Sequence, residues 1–116
     1  MIVIAVTAFL MVFVAPSFGG RVELWFEYPS PAACEAGHDA VVGHPMLARQ
    51  RYEAWACGPA PSPTHGPGIF VIGLGDDAHL RVVTTAAEAC ERVRRVVRQL
   101  VREYTTVSAT IGECGA

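Results

Sequence analysis

The sequence predicts an α+β fold, with two strand–helix–strand units in tandem forming an antiparallel sheet and both helices on one face. Three observations carry this. Arg21 to Tyr28 and Arg51 to Cys57 alternate at the period of half-buried strands, two helical stretches open on capping signals, and the four cysteines fall at matching places in the two units.

Composition bounds the function. A chain of 116 residues has room for one domain, and 52% hydrophobic with 17% charged residues excludes a disordered chain, a collagenous repeat and a long coiled coil. A net charge of -2 argues against nucleic acid as a partner. All the basic residues are Arg, with no Lys or Asn, which reads as the coding bias of a GC-rich genome and not as selection for Arg chemistry.

The first twenty residues carry no charged side chain, and Ile2 to Ala15 is apolar apart from Thr7. The run falls short of the roughly 20 residues of a membrane-spanning helix. With Pro16, Gly19 and Gly20 behind it, it predicts a secretory signal over residues 1–19, cleaved after Ser17 or Gly19, although a positively charged start is missing. An uncleaved anchor, the only membrane contact expected, and a buried N-terminal strand are the alternatives. The mature domain is then 20–116, secreted or periplasmic.

Each element follows from local pattern. Arg21 to Tyr28 sets Val22, Leu24, Phe26 and Tyr28 on one side and Glu23, Trp25 and Glu27 on the other. Pro29 ends that strand, and Ser30 as N-cap with Pro31 at the first helical position opens a helix that Gly43 and Pro45 stop. Arg51 to Cys57 separates Tyr52, Ala54 and Ala56 from Arg51, Glu53 and Trp55. The Pro/Gly-rich stretch 58–68 predicts a linker. Ile69 to Leu74 and His79 to Thr84 flank Gly75-Asp76-Asp77-Ala78, predicting either a hairpin or one strand preceded by an edge segment. Thr85 and Glu88 form a capping box for a second helix whose Ala86, Ala89, Cys90, Val93, Val96, Val97, Leu100 and Tyr104 recur at helical spacing, and Val107, Ala109 and Ile111 alternate in a last strand. The resulting βαββαβ order resembles the split βαβ, or ferredoxin-like, plan in architecture. That plan hosts too many activities to imply one.

An even cysteine count in a small exported chain predicts two disulfides. A returning strand ends beside the first turn of the helix it follows, so Cys34 pairs with Cys57 and Cys90 with Cys114. Cys57 and Cys114 fall on the wrong parity for their strands, which predicts a bend or bulge at each strand end. Neither a Cys-x-x-Cys motif nor a close pair is present, so zinc ligation and thiol redox chemistry are not expected.

No catalytic residue, cofactor or metal ligand is predicted. Gly73-Leu74-Gly75 leads into acidic residues and a strand instead of a helix N-terminus, and His38, His44, His65 and His79 are scattered. His79 with Asp76 or Asp77 supports only an alternative reading as a small metal-dependent or hydrolytic enzyme, since two ligands do not make a site. Arg92, Arg94, Arg95, Arg98 and Arg102 give the second helix a basic face, read as solvated surface with Glu88–Arg92 and Glu91–Arg95 pairs.

If both helices cover one sheet face, the other displays Trp25, Glu23 and Glu27, then Trp55, Glu53 and Arg51, then His79 and Arg81. Two exposed Trp residues call for a cover. The candidates are the Pro-rich linker, a second copy and a foreign protein partner. Trp25, Glu27, Arg51, Trp55 and Arg81 are therefore the predicted binding residues of a small exported interaction module. A membrane-anchored envelope structural protein is a further alternative.

Overall fold

An apolar run that is apolar on both faces can be a leader or a doubly covered strand, and the pattern alone does not separate them. The computed structural model, which describes residues 7–16, 20–48, 50–59, 66–75, 77–104 and 109–115, makes it a strand. β1 (Thr7–Ala15) pairs with β2 (Gly20–Tyr28) along its whole length. On its other edge it pairs with β3 (Tyr52–Ala54) and β4 (Gly58–Pro59). Phe9 and Met11 are 1% and 0% exposed. Where the sequence predicts a removable leader over 1–19, the structure thus builds residues 7–15 into the interior of the sheet. The cleavage points at Ser17 and Gly19 lie outside the described residues.

Helix α1 (Pro31–Val42) starts as predicted, with the Ala33 N–H donating to Ser30 Oγ at 3.2 Å and Pro31 in the first turn. β5 (Ile69–Gly75) and β6 (Ala78–Val83) form the hairpin, turning where Gly75 and Asp77 take φ of 81° and 61°. Helix α2 (Ala87–Tyr104) begins later than the Thr85 capping box implies. The Ala86 carbonyl accepts the Cys90 N–H, while buried Thr84 donates its hydroxyl to the Gly68 carbonyl at 2.7 Å. β7 (Thr110–Ile111) closes the sheet.

The architecture is α+β, with a seven-stranded antiparallel sheet in the order β3-β1-β2-β6-β5-β7 and β4 continuing the β3 edge. The tandem βαβ plan needs correction, because each half carries an additional strand. β2-α1-β3 and β6-α2-β7 are the two predicted units, but β1 lies between β2 and β3, and β5 lies between β6 and β7. Each half is ββαβ.

The two halves correspond at their ladder positions. Met11 sits between Leu24 and Ala54 as Ile72 sits between Leu80 and Ile111. Phe9 lies opposite Phe26, and Phe70 opposite Val82. The Trp55 N–H donates to the Leu10 carbonyl just as the Gly112 N–H donates to that of Val71. β2 and β6 meet antiparallel at the centre, with Trp25 opposite Arg81, so a local two-fold axis relates the halves there.

The predicted bulge is present in both. Ala54 lies opposite Met11 but Gly58 opposite Ala8, so the outer strand advances four residues against three on β1. In the second half the Gly112 and Gly115 N–H groups donate to the Val71 and Ile69 carbonyls, three residues against two. The extra residue turns Cys57 and Cys114 back toward the helices. The disulfides are Cys34–Cys57 and Cys90–Cys114, as predicted. Each closes one half, and the core has two clusters, Phe9, Met11, Phe26 and Cys34 under α1, and Phe70, Ile72, Val82, Cys90 and Val93 by α2, the second joined by Val22 of β2.

Candidate functional site

Strand alternation decides what lies opposite the helices. Phe9, Met11, Leu24, Phe26, Leu80, Val82, Phe70 and Ile72 share the helix-covered side through their pairings. The intervening residues face away. Trp55, Leu10, Trp25, Arg81 and Val71 therefore form one row across the open face. Glu53, Val12, Glu23, Val83 and Ile69 form the next, and Ala8, Glu27, His79 and Gly73 lie on the other side of the Trp row. Beyond Glu53 and Glu23, at the hairpin end of β1 and β2, come Arg51, Val14 and Arg21.

All five predicted binding residues fall on this face, but they are not equally exposed. Glu27 and Arg81 form an ion pair at 3.2 Å whose side chains are only 11% and 18% exposed. They are a structural tie between β2 and β6 and not the open charges expected from the sequence. Trp25 is half-buried, its Nε1–H donating to Glu23 Oε1 at 3.1 Å, and the other oxygen of Glu23 meets Arg21 Nε at 3.5 Å. Exposure concentrates at the β1–β3 corner, with Val14 69% and Trp55 45% exposed. A hollow of about 570 Å³ opens there between Arg21, Arg51, Glu53 and Trp55, bounded below by Val12 and Val14.

Sequence reasoning misses Leu10, Val12 and Val14, since it assigns them to a leader. The signal that could have found them is that Phe9, Met11 and Phe13 alternate with them at strand period, an alternation hidden because both faces are apolar.

A second concavity, about 460 Å³, lies on the helix side and is lined by Met11, Phe13, Leu24, Phe26, Val41 and Leu47. It reflects a difference between the halves. The strands β1 and β2 each have 9 residues against 7 and 6 for β5 and β6, whereas α1 has 12 residues against 18 for α2, so the longer hairpin lies under the shorter helix.

The other candidates separate. Arg94 donates through Nε to the Gly112 carbonyl at 2.6 Å and ties α2 to the chain after β7. Arg95, Arg98 and Arg102 remain exposed, and neither Glu88–Arg92 nor Glu91–Arg95 is among the ion pairs of the described residues. His38 lies edge-on to Phe9 with ring centroids 5.0 Å apart, and His44 borders the apolar concavity. His79 is on the open face and Asp77 in the hairpin turn, while Asp76, His65 and residues 60–65 of the linker lie outside the described residues. Among the described residues no three His, Cys, Asp or Glu side chains come together as a metal site, and no helix is long and apolar enough to cross a membrane. Burial pushes the Tyr28 phenol above its ordinary value of 10.0.

Comparison with protein-family models, characterised proteins and solved structures yields no match to this chain.

Proposed function

We propose that this protein is a small exported interaction module that docks through the sheet face left open by its helices. The observation that carries the reading is the β1–β3 corner. Of the three exposed large apolar side chains among the described residues, Val14 and Trp55 are both there, beside a hollow rimmed by Arg21 and Arg51. An exposed Trp grouped with Arg is the composition of binding hot spots and an adjoining exposed apolar side chain extends the patch, whereas isolated charges on a helix contribute little. The internal pairing of Glu23 with Trp25 and Arg21, and of Glu27 with Arg81, lets the face lose water without stranding those charges. Export is supported by the two disulfides, bonds that persist in oxidising compartments and fit a secreted or periplasmic protein.

Site-specific photo-crosslinking tests this reading. A photoreactive residue at position 14 is expected to give discrete adducts in the protein's own compartment, and the same residue at position 98 on α2 is expected to give none. Adducts from position 98 alone, or from neither position, would reject the open face as the docking surface.

A further inference from the structure

We infer that the occupant of this face is a second copy of the same chain, packed sheet against sheet about a two-fold axis; the inference rests on the docking reading above. It comes from the charge order across β3, β1 and β2. Val14 and Arg21 pair in one row, which Arg51 continues one residue beyond the β1–β3 pairing, basic–apolar–basic, and Glu53, Val12 and Glu23 form the adjacent row, acidic–apolar–acidic. A two-fold axis running across the strands between these rows lays the basic row of each copy over the acidic row of the other. Two-fold contacts are reciprocal, so every attraction occurs twice. Arg51 meets the second copy's Glu53, Arg21 meets its Glu23, and Val14 meets its Val12.

Three features favour this occupant over a foreign one. The patch carries equal numbers of Arg and Glu, so it does not repel itself, whereas a uniformly charged face would select an oppositely charged partner. Glu53 on the edge strand and Arg51 just before it are exposed and make no ion pair among the described residues, so a facing copy can meet them without breaking one of those pairs. Val14, 69% exposed, floors together with Val12 a hollow of about 570 Å³, so the apolar centre of the patch is open to the matching centre of a facing copy.

Sedimentation equilibrium of the full chain and of two charge reversals decides the matter. The unaltered chain is expected to form a dimer of twice 12.4 kDa at about 200 μM. Arg51→Glu and Glu53→Arg should each raise the dimer dissociation constant about tenfold or more, while an equimolar mixture of the two restores association as a heterodimer, because each reversed row then faces its complement. Both positions are exposed, so thermal midpoints should stay near that of the parent and separate lost association from lost folding. A parent chain that stays monomeric, single variants that dimerise as well as the parent, or a mixture that does not recover would each overturn the inference. Monomeric behaviour together with adducts from position 14 to a different protein would remove the second copy but keep the docking face. Monomeric behaviour with no such adducts removes both.

Discussion

Among the described residues, Phe9 is one of the most buried aromatic side chains and Trp55 is the exposed one. Phe9 stacks on Phe26 with ring centroids 4.6 Å apart and is 1% exposed, so Phe9→Ala is expected to cost about 3–5 kcal/mol in urea denaturation. Trp55→Ala, at 45% exposure, should stay within about 1 kcal/mol of the parent. Tyr28 adds a pH-dependent contribution. Because burial raises its pKa, the folded protein holds the phenolic proton more tightly than the unfolded chain; this contribution is complete below pH 10 and falls as pH rises past it. The parent should therefore lose more stability than Tyr28→Phe as pH rises above 10, measured by denaturant titration. Gly37 is required by the same ring, since a Cβ on α1 at this position would collide with the Tyr28 phenol. Gly37→Ala is expected to lower the thermal midpoint.

At the scale of elements, the signals that succeeded are local. Alternation found β2, the Ser30 cap found α1, and equal cysteine placement found both disulfides. The hairpin β5–β6 was legible as one of two readings because Gly75 marks the turn. β1 was legible only as an alternative to a leader, because Ala8, Leu10, Val12 and Val14 are as apolar as Phe9, Met11 and Phe13, and without polar contrast a strand has no visible period. The bulge before each strand-end cysteine was inferred only from the parity of Cys57 and Cys114, and the ladder registers supply the missing residue. Two expectations belong here. Replacing Cys90 and Cys114 by Ala should cost on the order of 3 kcal/mol for a loop of this length, as should the same change at Cys34 and Cys57. A chain beginning at residue 20 loses Phe9 and Met11 from the core and the strand between β2 and β3, and should fail to give a cooperative unfolding transition.

The described residues form two ββαβ units that join at β2 and β6, with helices and disulfides on one side of the sheet and a face that the helices leave uncovered on the other. Sequence pattern placed all five expected binding residues on that face, because strand parity survives errors in strand number. It could not rank them, since ranking depends on which charges pair across strands far apart in sequence, as Glu27 and Arg81 do. The same pairing moves the proposed docking site toward the β1–β3 corner, where β1 contributes Val12 and Val14. The most direct test measures adduct yield from a photoreactive residue at position 14 together with the thermal midpoint, in the parent, Trp55→Ala and Arg98→Ala backgrounds. The account expects Trp55→Ala to keep the parent's midpoint and lose most of the adduct, while Arg98→Ala changes neither. A Trp55→Ala protein that melts at a much lower temperature yet crosslinks as well as the parent would show that the ring supports the fold and not an interface, and would contradict the account.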